Sequence, residues 1–150
     1  MFRRIYNAIV DALSQKKINE AMETIPKEIE VCVDDYAFAT ASIEVTLEGT
    51  YLIKINTRAI MNLIHQYGFS RTKLGDACII LIEHEVGHWL TSTLGDIPNL
   101  AYEEAAWSAG IGFCGVDIDN DLRKVLMKFG LDSYEAGINA GHTISGGAVV

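Results

Sequence analysis

Apolar residues recur at helical spacing near the start of the chain. Most of them lie three or four positions apart on one helical face: Phe2, Ile5, Ile9, Ala12 and Leu13. Charged and polar residues occupy the other faces of this helix. The pattern predicts an N-terminal amphipathic helix that packs on the core, and Pro26 closes the helical region.

After Pro26 the pattern changes from helical spacing to alternation. Apolar and polar residues alternate in Glu28–Thr40, Ser42–Glu48 and Tyr51–Asn56, and many of the apolar ones are β-branched. The sequence therefore predicts three strands, and their short connections favour an antiparallel meander. The resulting sheet is either purely structural or binds an extended peptide along its edge.

Helical patterns return after the third strand. Thr57–Tyr67 predicts a short helix that ends at Gly68. Lys73–Leu94 lacks proline and is too long for a strand, so it predicts a helix with a buried side that includes Ile79, Ile82, Val86, Trp89 and Leu90. Ser70 or Thr72 is expected to cap its start, and Gly95 is expected to end it.

The last third of the chain predicts two further helices and a tail. Asn99–Gly110 follows a turn around Pro98, and Asn120–Phe129 is expected to stop at Gly130. Residues 136–150 are rich in glycine and predict a loose tail. The fold class predicted is α+β, with an N-terminal helix, a three-stranded mostly antiparallel sheet, and then a central helix followed by further helices.

Composition restricts the class of protein. The chain has 150 residues, of which 49% are hydrophobic and only two are prolines, which predicts one folded domain over 1–150. The net charge of −8 argues against a nucleic-acid partner. No apolar run approaches the length of a membrane span, so no membrane partner is expected.

Cysteine usage bears on the compartment. Cys32, Cys78 and Cys114 are widely spaced and odd in number, which does not fit a disulfide scaffold. The N-terminus has basic residues but no apolar segment of signal-peptide length after them. We therefore expect a cytoplasmic protein in a reducing environment.

The candidate chemistry lies in His84-Glu85-Val86-Gly87-His88. On a helix, residues four apart project from one face, so both imidazoles can reach one metal ion. Glu85 is then placed to act as general base on a water activated by that metal. This spacing is the H-E-x-x-H signature of zinc-dependent peptidases.

A catalytic zinc site normally has a third protein ligand. The following helix offers Glu103 and Glu104 among small residues that allow two helices to pack closely. We favour Glu103, because Ala106 and Ala109 or Gly110 then fall on its face, while Glu104 stays an alternative. Tyr102, Tyr134 and His142 are candidates for stabilising the oxyanion of the reaction.

The motif and the helix after it resemble a known family. His84-Glu85-Val86-Gly87-His88 followed by Glu103-x-x-Ala106 looks like the gluzincin pattern, and more narrowly it is similar to the ImmA/IrrE-type metallopeptidase domains. The resemblance covers residues 72–110 and implies a small zincin-like fold. It implies zinc bound by His84, His88 and Glu103, with Glu85 as catalytic base. The Phe-Ala that usually follows the E-x-x-A element is replaced here by Ala109-Gly110.

Two functions follow from this pattern. The first is a zinc-dependent peptidase, a hydrolase that cleaves a peptide or protein substrate with Zn²⁺ as cofactor. The second is a non-catalytic binding or regulatory protein that keeps the zincin scaffold and recognises a protein partner. The intact Glu85 favours the enzyme, because a binding protein has no need for a general base there.

Overall fold

The fold is α+β, as the sequence predicts. A computed structural model describes residues 12–94 and 99–139, with the backbone alone for 12–14 and 135–139. In chain order its elements are α1 (Ala12–Glu23), β1 (Ile29–Val33), β2 (Ala41–Val45), β3 (Tyr51–Ile55), α2 (Thr57–Gln66), a 3₁₀ turn (Arg71–Lys73), α3 (Leu74–Leu90), α4 (Leu100–Gly110) and α5 (Asn120–Asn139). Within these residues, no helix is long and apolar enough to span a membrane.

The sheet is mixed, with strand order β1-β3-β2. β3 lies in the middle, parallel to β1 and antiparallel to β2. The predicted meander is therefore wrong in its strand order, because β1 and β2 are not neighbours. The connection between them is instead anchored at the end of β3: the amide of Asp34 donates to the carbonyl of Ile55, and Asp35 accepts hydrogen bonds from the amide and hydroxyl of Thr57.

Helix α3 is the centre of the molecule. It packs on β2 and β3 and also on α1, α2, α4 and α5, and every residue from Leu74 to His88 is buried. A helix that is apolar on most faces is typical of such a central position. The sequence analysis predicted that only one side of this helix is buried, whereas all sides are buried between Leu74 and His88. Leu90, which was placed on the buried side, is half exposed.

The ends of α3 differ from their predicted caps. Ser70 precedes the 3₁₀ turn without a side-chain capping hydrogen bond, and α3 starts only at Leu74. At the other end Ser92 adopts a positive φ of 56°, and the amide of Thr93 donates to the carbonyl of His88 at 3.0 Å. This left-handed turn stops the helix before Gly95, which lies outside the described residues.

Helix α5 is longer than predicted. It continues through Gly130, which was expected to stop it, and reaches Asn139. Gly130 is used for packing, because a Cβ there would lie 3.1 Å from Cζ2 of Trp107. Residues 136–139 of the predicted tail are thus helical. Residues 140–150 lie outside the described part, as do residues 1–11 of the predicted N-terminal helix.

Helices α3 and α4 approach each other very closely at two glycines. A Cβ on Gly87 would lie 1.9 Å from the carbonyl oxygen of Ala106, and a Cβ on Gly110 would lie 1.9 Å from that of Glu83. Both distances are far below van der Waals contact, so only glycine fits at either position. The two helices are therefore fixed side by side along the segment that carries the H-E-x-x-H motif.

This contact predicts a strong effect of Gly87→Ala. The added methyl group meets backbone, which cannot rotate away, so the helices must separate, and we expect a loss of about 1–3 kcal/mol in the free energy of unfolding. Urea denaturation measures it. Gly130→Ala is the matched control: its methyl meets a side chain, and a gain in helix propensity of about 1 kcal/mol offsets the contact. Equal losses in both variants would contradict this account of the α3–α4 contact.

Candidate metal centre

His84 and His88 lie one turn apart on α3 and turn their rings toward the same space. Their ring centroids are 4.8 Å apart, and the two side chains are almost fully buried. The close packing around this buried helix leaves little rotamer freedom for either ring. The four-residue spacing of the motif therefore places the two imidazoles beside each other inside the protein, with little freedom to move.

Glu103 reaches both imidazoles from α4. Nε2 of His84 donates to Oε1 of Glu103 at 3.2 Å, and Nε2 of His88 lies 2.8 Å from Oε2. The second contact is close but lacks the alignment of a hydrogen bond. Asn99 begins the helix by accepting hydrogen bonds from the amides of Ala101 and Tyr102, which places Glu103 in the first turn.

Each histidine ring also has a neighbour outside this cluster. The indole of Trp107 stacks on His84, with ring centroids 4.0 Å apart and an angle of 19° between the planes. Nδ1 of His88 lies 2.8 Å from the hydroxyl of Thr93, which in turn contacts the hydroxyl of Thr91 at 2.9 Å. Such outer contacts fix the orientation of imidazoles that bind metals.

Glu85 is the least satisfied group of the site. Its side chain is 0% exposed, and neither carboxylate oxygen has a hydrogen-bond partner among the residues that the structure describes. Burial raises the pKa of Glu85 well above its usual value, and the negative charge of Glu103 adds to the rise. A buried carboxylate without a partner is costly, which indicates that the site is shaped for a further group.

Glu103 and His84 change each other's pKa. Burial alone would raise the pKa of Glu103, but the hydrogen bond from His84 and the close contact with His88 outweigh burial and lower the pKa to about 2. Burial lowers the pKa of His84 more than Glu103 raises it. We therefore treat Glu103 as ionised and His84 as neutral, because N–H donation from a neutral ring suffices to hold a carboxylate. Neutral imidazole and carboxylate are the forms that bind metals.

These residues could hold a metal ion. The ligand atoms of His84, Glu85 and His88 lie within 4.8 Å of one another, and all three residues are buried. Glu103 contributes two further oxygens beside both rings. Two nitrogens and carboxylate oxygen are a donor set that suits zinc and other first-row divalent metals. The carboxylate of Glu85 belongs to the same cluster and, without a partner among the described residues, could accept a hydrogen bond from a further group.

The structure brings the four predicted site residues together and separates the alternatives. Glu103 is buried against the histidines, whereas Glu104 is exposed. Among the oxyanion candidates, Tyr134 is buried and its hydroxyl accepts a hydrogen bond from the amide of Asn99. Burial raises the pKa of Tyr134, and the charge of Glu103 adds to this rise. The remaining candidates are Tyr102, which is partly exposed, and His142, which lies outside the described residues.

The sequence analysis missed the residues that support the histidines. Trp107 lies four positions after Glu103, so helical spacing could have placed it on the same face. The contact between Thr93 and His88 depends on the left-handed turn at Ser92, for which the sequence gives no glycine signal.

Comparison of the chain with known protein families, curated proteins and solved structures finds no match. Only the geometry of the buried cluster therefore supports a metal site. The resemblance to gluzincins and to ImmA/IrrE-type domains stays a prediction.

The unpartnered Glu85 predicts that Glu85→Gln stabilises the metal-free protein. Because the folded pKa of Glu85 is raised, the wild type loses stability as pH rises above the unfolded value of about 4.3. Glutamine does not ionise, so the variant should be more stable by about 1–3 kcal/mol at pH 8 and nearly equal at pH 4. Denaturation in the presence of a chelator measures this difference. The exposed Glu104→Gln should show no such pH trend; a trend shared by both variants would refute the assignment.

Proposed function

We propose that the chain is a zinc-dependent peptidase of the gluzincin type. The observation that carries the proposal is the buried Glu85 carboxylate, unpartnered within the described residues and set beside two imidazoles and Glu103. A structural metal site needs its ligands but has no use for an additional free carboxylate. A hydrolytic site needs that carboxylate as a proton acceptor.

The proposed roles follow the geometry of the cluster. His84, His88 and Glu103 would hold zinc, which when bound acidifies water and polarises the carbonyl of the substrate. Glu85 accepts a proton from the water that adds to the peptide carbonyl carbon. It then delivers this proton to the amine as the C–N bond breaks. Burial raises the pKa of Glu85, which makes it a stronger proton acceptor than an exposed glutamate.

The substrate proposed is an extended peptide or protein segment. β2 has a neighbour on one side only within the described residues, and it packs against α3, which carries the motif. Its free edge could pair with a peptide main chain, which gives affinity without strong sequence preference. The three cysteines form no disulfide within the described residues, which agrees with the proposed cytoplasmic setting.

One observation favours the second candidate, a non-catalytic binding or regulatory protein. His84, Glu85, His88 and Glu103 are each at most 2% exposed as whole residues. A peptide bond can reach Glu85 only after the groups that cover it move. A protein that binds zinc and recognises a partner through its surface needs no such movement.

The ligand assignment predicts different effects for two adjacent glutamates. Glu103→Gln removes a charged oxygen donor from the cluster and should weaken zinc binding more than about 100-fold, beyond the usual effect of losing an outer contact. Glu104→Gln is the matched control on the exposed face of α4 and should leave affinity unchanged. Competition with a zinc chelator measures both dissociation constants. Similar affinities in the two variants would remove Glu103 from the ligand set.

The catalytic assignment predicts that Glu85→Gln loses turnover while keeping zinc. Loss of a general base should lower peptide hydrolysis by about 10²–10⁴-fold. Zinc content by elemental analysis and cleavage of a peptide library by mass spectrometry measure the two properties, with Glu104→Gln as control.

The possible outcomes separate the two functions. Equal cleavage by the wild type and Glu85→Gln would reject Glu85 as the base. Zinc without cleavage by the wild type would reject the peptidase and support the binding protein. Absence of zinc from the purified protein, together with failure to take it up, would reject the peptidase and leave only a binding protein without metal.

A further inference from the structure

A small pocket lies behind the candidate metal centre, between α3, α4 and α5. It is lined by seven residues: Ile80, Glu83, His84, Trp107, Ile111, Arg123 and Met127. The space accommodates about one water-sized molecule. His84 is the only residue that this pocket shares with the proposed zinc ligands.

Four residues of the lining each leave one polar atom without a hydrogen-bond partner among the described residues. These atoms are Oε1 of Glu83, Nδ1 of His84, Nε1 of Trp107 and Nε of Arg123. Glu83, His84 and Trp107 are more than nine-tenths buried, and the Arg123 side chain is 11% exposed. Buried polar atoms in proteins are almost always paired, either with protein or with ordered water.

Glu83 and Arg123 form an ion pair that leaves part of their hydrogen-bonding capacity unused. Nη2 of Arg123 lies 3.3 Å from Oε1 of Glu83, without the alignment of a hydrogen bond. The other carboxylate oxygen, Oε2, accepts a hydrogen bond from the amide of Cys114 at 3.0 Å. Oε1 is therefore held beside the pocket with capacity for a further donor.

The polar atoms of the pocket determine which kind of molecule can occupy it. Trp107 and Arg123 each present an N–H donor, and Glu83 presents an acceptor. Nδ1 of His84 accepts when Nε2 carries the proton toward Glu103, and it donates when Nε2 binds a metal. The occupant must therefore both donate and accept: while Nδ1 of His84 is an acceptor, one water has enough donors and acceptors to pair with all four atoms. An anion would be repelled by Glu83, and a cation would face the N–H groups, so the chemistry selects water.

We propose that one ordered water in this pocket links Nδ1 of His84 to the Glu83 carboxylate, and that Glu83 is thereby a positioning residue for the metal centre. Arg123 holds the carboxylate in place. With metal bound, Nδ1–H of His84 donates to the water, and the water donates to Oε1 of Glu83. The inference rests on the proposed zinc site, and it extends the pattern in which a carboxylate orients a metal-binding histidine.

The test compares Glu83→Gln with Asp76→Asn. Both replace a buried, ion-paired carboxylate of α3 by its amide, but Asp76 pairs with Lys17 at 3.0 Å and does not line the pocket. Loss of an outer partner should weaken zinc binding about 10–100-fold in Glu83→Gln. Asp76→Asn should lower thermal stability and leave the zinc dissociation constant unchanged. If Glu83→Gln does not fold, Arg123→Lys is used instead, with the exposed Lys124→Met as its control.

A second measurement detects the proposed hydrogen bonds between His84, the water and Glu83 directly. In nitrogen-15 NMR of the zinc-bound protein, the Nδ1 proton of His84 should be protected from exchange in the wild type and in Asp76→Asn, and unprotected in Glu83→Gln. A high-resolution crystal structure should show a water within hydrogen-bond distance of Nδ1 of His84 and Oε1 of Glu83.

Two results would overturn the proposal: equal zinc affinity in Glu83→Gln and the wild type, or a pocket that contains no water in the crystal. Failure of the wild type to bind zinc would instead reject the proposed function. In that case the crystal structure of the metal-free chain still tests the water, because the unpaired polar atoms of the pocket do not depend on metal.

Discussion

The candidate site depends on how closely two helices can approach. Backbone carbonyls of Ala106 and Glu83 occupy the space that side chains on Gly87 and Gly110 would need. This contact holds the first turn of α4 against the motif and lets the Glu103 carboxylate meet both imidazoles. A bulkier interface would separate the helices by an ångström or more, a distance comparable to the tolerance of a metal site. The glycine inside the H-E-x-x-H motif is therefore part of the geometry of the site.

The polar groups of the site differ from those elsewhere in the core. Asp76, also on α3, is fully paired: it binds Lys17 through one oxygen and the amide of Asp119 through the other. Glu85 has no such partner within the described residues, although it is more deeply buried. The fold pairs the buried carboxylate of Asp76 but provides no partner for that of Glu85 within the described residues. Packing does not explain this difference. Exceptions of this kind are concentrated at functional sites.

The sequence predicted the elements of this protein better than their arrangement. Periodicity was sufficient for the three strands and for α2, α3 and α4, because each has a strong local pattern. The strand order was missed because the parallel pairing of β1 with β3 joins segments distant in sequence and leaves no local pattern. Gly130 was misread as a helix stop because its packing against Trp107 is tertiary. The motif and Glu103 could be found from spacing, whereas Glu83 and Arg123 gave no pattern that relates them to His84.

The close α3–α4 contact also bears on what a metal would be for. Gly87, Gly110 and their carbonyl partners already fix the two helices, so a metal between them is not required to hold them together. A purely structural site would also gain stability by replacing Glu85 with an apolar residue, since its carboxyl group is buried and has no partner among the described residues. The chain keeps a costly carboxylate beside a candidate metal site that the packing does not need. The proposed hydrolysis would explain both facts, and the deep burial of the cluster would then require a movement of the groups that cover Glu85 before substrate could enter.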